Sequence, residues 1–223
     1  LVEKPAGLNL VEVSALETMA RRCNAEVFVA YNRRFYAATL EAQRLIDDDG
    51  GVTSFAFEFT EWAHTVAPLP LSAVVKSQWF LANSTHVVDL AFFLGGTPQS
   101  LAPFVSGALD WHPAGAVFAG AGVTTTGALF SYQANWAAPG RWGVEVLTRA
   151  RRFIFRPMEQ LHVQAIGSVA VNRVPLDDAL DTRYKPGLHR QVAAFLAPGP
   201  AHPNLLALAE HREHVEHWYA RIL

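Results

Sequence analysis

The run Asp47-Asp48-Asp49-Gly50-Gly51 separates two kinds of periodicity in this chain. Three adjacent carboxylates followed by two glycines end a helix and start a turn, so the run punctuates the sequence and does not sit inside an element. Before it, Asn9 can cap a helix over residues 8–23, in which Leu10, Val13, Leu16, Met19 and Ala20 recur at helical spacing. Ala25 to Tyr31 is a short apolar run bounded by polar residues, the signature of a buried strand. Residues 1–31 therefore read as strand end, helix and strand, the closing unit of a parallel α/β layer. A second helix is expected from Arg33 to Ile46.

After Gly51 the pattern alternates. Phe55, Phe57 and Phe59 fall on one face of a strand over residues 52–62. A helix is expected over residues 79–94, stopped by Gly95-Gly96-Thr97-Pro98. Strand-like segments follow at 123–136, 142–148, 152–155 and 161–166, with helices at 190–196 and 205–222. The expected fold is α+β: a large, mostly antiparallel open sheet with helices on one face, preceded by a βαβ unit.

Composition removes several classes of function. Hydrophobic residues make up 51% of the 223 and charged ones 17%, enough apolar material for a sizeable core. A net charge of −2 exerts no pull toward nucleic acid or an anionic membrane. No apolar run approaches the roughly 20 residues that span a bilayer. The single Cys23 excludes an intramolecular disulfide framework and a multi-cysteine zinc site. Leu1 to Leu10 lacks a signal-peptide core, so a cytoplasmic protein is expected.

Two segments carry chemistry. Glu3-Lys4-Pro5 follows a strand end, where ligand crevices open in α/β sheets, and a lysine there can hydrogen-bond an alcohol or carbonyl oxygen and relay its proton. In Asn83-Ser84-Thr85-His86-Val87-Val88-Asp89, Asn83, His86 and Asp89 stand at successive i,i+3 positions on a helix. Histidine is the side chain suited to moving a proton near neutral pH.

Glu3-Lys4-Pro5, Tyr31-Asn32-Arg33-Arg34-Phe35, and His86-x-x-Asp89 with Leu94-Gly95-Gly96 occur in an order that resembles the Gfo/Idh/MocA oxidoreductases. The resemblance spans nearly the whole chain but only the later part of a usual member. It implies that residues 1–31 are the end of a dinucleotide-binding Rossmann domain and residues 32–223 a substrate-binding and oligomerisation domain. It also implies hydride transfer between a sugar or polyol carbinol and NAD or NADP, and self-association through the open sheet face. Lys4 would contact substrate and cofactor, with Glu3 and Pro5 beside it, and His86 would take the hydroxyl proton. Asp89 matches a structural acidic position. Ala82 stands where many members carry aspartate, whereas Asn83 can orient a hydroxyl, giving a Lys4/His86 mechanism assisted by Asn83. Arg33, Trp111, His112 and Tyr184 are the candidate sugar contacts.

The resembled family begins with a glycine fingerprint that this chain lacks. Gly120-Ala121-Gly122 starts like one, but its third glycine is missing and a strand-like run follows. About a hundred residues of nucleotide-binding fold are expected upstream of Leu1, and the chain alone should bind dinucleotide poorly. A non-catalytic sugar-binding or scaffold protein of the same descent is the alternative. His211, His214 and His217 read as a solvated helix face rather than a metal site. No hydrolase elbow accompanies Ser84. Tyr132, Trp136 and Trp142 are expected on the open sheet face as interface core.

Overall fold

The computed structural model describes residues 1–223. Val2 pairs in parallel with Val29 of β1 (Phe28–Val29), and α1 (Leu10–Arg22) joins them, giving the expected strand–helix–strand order. The α1 start is held reciprocally: Asn9 accepts from the Glu12 backbone N–H at 3.0 Å while the Glu12 carboxylate accepts from Leu8 N–H at 2.8 Å. β1 also pairs antiparallel with β10 (Leu206–Ala207), so the C-terminal segment closes this unit.

The expected helix over 33–46 is broken. Asn32–Phe35 forms a 3-10 turn, Tyr36 is extended, and α2 (Ala37–Asp48) follows. The break turns Arg34 inward, where its guanidinium grips Asp89 at 2.8 and 2.7 Å. Both side chains are almost fully buried, at 5% and 1% exposure.

β2 (Ser54–Glu58) leads through α3 (Ala63–Val66) and α4 (Ala73–Ser77) to a π turn, Phe80–Ser84, and then α5 (Thr85–Gly95). The remaining strands are β3 (Pro98–Ser106), β4 (Val117–Thr124), β5 (Leu129–Asn135), β6 (Gly143–Leu147), β7 (Arg151–Phe155), β8 (His162–Ala165) and β9 (Asn172–Arg173). Then come α6 (Ala179–Arg183), α7 (Leu188–Leu196) and, after β10, α8 (Leu208–His214). A second π turn, Val215–Tyr219, joins α8 to α9 (Ala220–Ile222). The expected strand over 123–136 is thus the end of β4, a turn and β5. β3 was not expected at all, because Pro98 and Pro103 mask an edge strand.

Eight strands form one sheet in the order β3-β4-β5-β2-β6-β7-β8-β9, antiparallel except for the parallel β2–β5 pair. The fold is α+β, as expected. Phe55 and Phe57 of β2 lie beside Phe130 and Tyr132 of β5, with ring centroids 5.2 and 5.4 Å apart. Phe92 of α5 stands edge-on to Phe57 at 5.5 Å. Gly95 lies so close to the Phe55 ring that a methyl group there would collide with it. These contacts seat α5 on the inner face of the sheet.

Several expectations need correction. Tyr132 and Trp136 face the core, at 4% and 2% exposure, because their strand alternation points them under the helices. Trp142 is half-buried against Arg33 and His86. The outer face carries Glu58, Ser131, Gln133 and Glu145, with Glu58 paired to Arg156 and Glu145 to Arg152. Gly120 and Gly122 sit within β4, where the rings of Tyr132 and Phe130 cover them. His211 and His214 are buried, not solvated, and only His217 faces out. No helix is long and apolar enough to cross a membrane.

Two stability predictions follow from the buried charges. Asp89→Asn strands Arg34 in the core and should lower the unfolding free energy by about 3–5 kcal/mol, read from urea denaturation. His211 and His214 are pushed down to about 4 and about 3, chiefly by burial, and His86 and His112 are also lowered, burial first. The folded state therefore refuses protons that the unfolded chain accepts below about 6.5. Stability present above that value is lost as the pH falls, by up to about 1.4 kcal/mol per pH unit for each histidine. Melting temperatures between pH 7 and pH 4 should show this decline, and a flat profile would refute it.

Candidate active site

Lys4 follows Val2 at the end of the parallel pairing, which aims its side chain across to the π turn before α5. Its Nζ donates to the carbonyl of Ala82 at 2.7 Å and to that of Asn83 at 3.2 Å. A π turn spaces its backbone bonds five residues apart and leaves carbonyls outside the α-helical ladder, and such turns recur at functional sites. Here the freed carbonyls seat a lysine. Its pKa is pushed down to about 7, first by burial and then by the Arg33 cation, while Glu61, Glu3 and Asp89 oppose the shift.

His86 begins one turn further along. Its ring lies 6.0 Å from Tyr31, edge-on, and 6.2 Å from Trp142. Its Nδ1 is buried without a partner. Burial holds the imidazole far below its ordinary pKa, and Lys4, Arg33 and Lys185 add to that shift. It is therefore held neutral. The Arg33 guanidinium lies over Trp142 at 4.9 Å, and its Nε is buried without a partner.

Glu61, which was not singled out from the sequence, completes the cluster at 6% exposure. It accepts from Ser84 Oγ at 2.7 Å, and the Asn83 side-chain amide donates to its two oxygens at 3.1 and 3.0 Å. Burial raises its pKa, and the bonds from Ser84 and Asn83 work against that rise. Its sequence signal was weak: one acid after an alternating aromatic strand, next to Trp62.

The structure thus gathers Lys4, Arg33, Asn83 and His86 around α5. Glu3 is exposed and Pro5 half-buried beside Lys4. Asp89 points away from this cluster to Arg34. Trp111 stands one ring removed, edge-on to Trp79 at 6.3 Å and stacked on Trp136 at 5.8 Å. His112 needs correction as a sugar contact: it is fully buried, its Nδ1 lies 2.8 Å from the Gly115 carbonyl, and its ring packs on Trp136 at 4.6 Å. Tyr184 is 42% exposed and stacks on His189. No group of three or more histidine, cysteine, aspartate or glutamate side chains is arranged to hold a metal ion.

No family model matches this sequence, and no curated protein matches it. Solved structures do. An NAD binding oxidoreductase from Klebsiella pneumoniae superposes with a TM-score of 0.74 at 16% identity, over 99% of this chain and 69% of that one. A UDP-N-acetylglucosamine 3-dehydrogenase from Acidithiobacillus ferrooxidans gives 0.73 at 16%, over 100% and 68%. Levoglucosan dehydrogenase in complex with NADH and levoglucosan gives 0.74 at 21%, over 99% and 69%. The likeness is one of fold. The chain spans about two thirds of the length of these structures.

The lowered Lys4 pKa yields a test. Between pH 7 and 10.5 the folded state releases a proton that the unfolded chain keeps, so the cost of burying this amine fades as the pH rises through that window. Lys4→Met, neutral throughout, should gain most over the native protein near pH 6, and that gain should shrink by pH 10. A pH-independent difference in melting temperature would mean that Lys4 keeps its ordinary pKa.

Proposed function

We propose that this chain supplies the substrate side of an NAD(P)-dependent oxidoreductase acting on a sugar or polyol, with residues 1–31 as the end of its nucleotide-binding domain. One observation carries the reading: a half-buried lysine, seated on π-turn carbonyls, shares a cluster with a neutral histidine whose Nδ1 has no partner. The sugar dehydrogenases that share the fold support it.

The residues present fit the reacting end of a nicotinamide cofactor and its substrate. Lys4 has three donors and spends two on Ala82 and Asn83, which leaves one for an oxygen ligand. Gly120 and Gly122 do not cradle the cofactor's pyrophosphate, since aromatic rings close over them. When bound, the nicotinamide accepts or returns a hydride. This chain's residues handle the proton: neutral His86 takes it from the carbinol hydroxyl, and the charges of Lys4 and Arg33 favour the oxygen's anionic character in a site that burial keeps at low dielectric. Burial, the larger cause of the histidine's lowered pKa, makes it a weaker base, while the neighbouring cations make the proton of a bound alcohol easier to give up. Asn83 orients a hydroxyl, and Trp142 and Tyr31 wall the histidine from water. Self-association through the outer sheet face belongs to this proposal, with ion pairs rather than aromatics at its centre.

In a protein that joins this chain to a nucleotide-binding domain, Lys4→Ala and His86→Ala should each cut turnover of the responsive sugar or polyol by about 10²–10⁴-fold while the protein stays folded. Full activity in both variants would refute the assignment. Titration with NADH and NADPH, read as energy transfer from the six tryptophans, should show weak binding by the 223-residue chain alone. Saturable micromolar binding would place a nucleotide site within it.

A further inference from the structure

Glu61 is a buried carboxylate that takes part in no salt bridge; Asn83 and Ser84, two consecutive residues of one π turn, donate to it. An ionised carboxylate without a cationic partner survives burial only where hydrogen bonds replace its hydration. The bonding pattern also constrains its partner. The carboxylate accepts and cannot donate, and the Asn83 Nδ2 straddles both of its oxygens. The amide can then face only one way, with Nδ2 toward Glu61 and Oδ1 turned from it. No protein donor reaches that Oδ1.

The backbone of the same turn is held from the other side. Lys4 bonds the carbonyls of Ala82 and Asn83, while Glu61 bonds the side chains of Asn83 and Ser84. Asn83 is common to both grips and stands three residues before His86.

We propose that Glu61 is a positioning residue: it locks the Asn83 amide so that Oδ1, a hydrogen-bond acceptor, faces the bound substrate next to Lys4 and His86. The inference rests on the functional reading above and deepens it. The acceptor calls for a substrate that carries a second hydroxyl beside the reacting carbinol, a vicinal diol of the kind sugars and polyols present. A plain secondary alcohol gains nothing from it. With Glu61→Gln, the glutamine NH2 opposes the asparagine NH2, and the favourable outcome is an Asn83 flip that bonds Oδ1 to Gln and turns NH2 toward the substrate. Adding Asn83→Asp to that variant returns an acceptor to the site, because one aspartate oxygen meets the glutamine NH2 and the other faces substrate.

Hydrogen exchange of the Asn83 side-chain amide, followed by NMR on the 223-residue chain, tests the orientation without any turnover. The native amide protons should be protected, and Glu61→Gln should expose them, speeding exchange about tenfold or more. Native protons that exchange as fast as those of a free amide would overturn the proposal, as would protection unchanged in Glu61→Gln. The kinetic arm uses levoglucosan and a set of polyols with NAD+ or NADP+. Glu61→Gln should raise KM about tenfold with a smaller change in kcat, and Glu61→Gln/Asn83→Asp should recover much of that loss. A fall in kcat and melting temperature with KM unmoved, and no recovery in the double variant, would mean that Glu61 only holds the fold. If this chain joined to a nucleotide-binding domain turns over no sugar or polyol, the oxidoreductase reading fails, and amide exchange still decides the role of Glu61.

Discussion

The Arg34–Asp89 pair sets the register of everything around it. Asp89 sits in a helix with almost no solvent contact, and a lone carboxylate there would cost several kcal/mol. Arg34 meets it with two bonds, which fixes the 3-10 turn of Asn32–Phe35 against α5. Because Arg33 and Arg34 are adjacent, gripping Asp89 with one leaves the other on a different side of the turn, over Trp142 beside His86. His86 itself is one turn before Asp89. The pair that anchors the helix therefore also delivers a cation to the cluster.

Burial then does the electrostatic tuning. His86 and Lys4 are both titratable bases in a poorly hydrated place, and both are shifted toward their neutral forms, each made less basic by nearby positive charge. Glu61 is shifted the same way in chemical terms, toward its uncharged acid, by loss of water. What separates their behaviour is the opposition each shift meets. The carboxylates of Glu61, Glu3 and Asp89 favour the charged form of Lys4, which settles at about 7. No group opposes the shift of His86, which stays neutral. Hydrogen bonds from Ser84 and Asn83 oppose the rise of Glu61. One desolvated neighbourhood thus holds three groups in different protonation tendencies.

Periodicity made much of the fold legible. α1, β2, α5 and the alternating strands that follow show their spacing directly, because each buries one face against a continuous apolar surface. What escaped has a common cause. Tyr36, the two π turns and the buried His211 and His214 all depend on contacts between segments far apart in sequence, and a local pattern cannot show that Arg34 will turn inward. The site divided the same way. Lys4 and His86 stood out through residue type and position on strand end and helix. Glu61 did not, since its meaning comes from residues 22 and 23 positions away that reach it only after the sheet has formed. His112 erred in the opposite direction: its loop is the kind that meets ligands, but its ring fills the space beside Trp136.

The two faces of the sheet are separable in energetic terms, and that separation bears on how the site can change. The inner face, Phe55, Phe57, Phe130 and Tyr132 under α5, is close-packed, so any change of volume there shifts α5 and with it His86. The outer face is charged and paired, with Glu58–Arg156 and Glu145–Arg152 at its centre, and such exposed pairs contribute little to stability. Substitutions on the outer face can therefore alter what the sheet meets without moving the helix behind it. The segment from Ala63 to Ser77 holds α3 and α4, exposes Leu71 and Val74, and leads into the Trp79–Trp111 contact. Its exposed side chains can vary at little cost to the core.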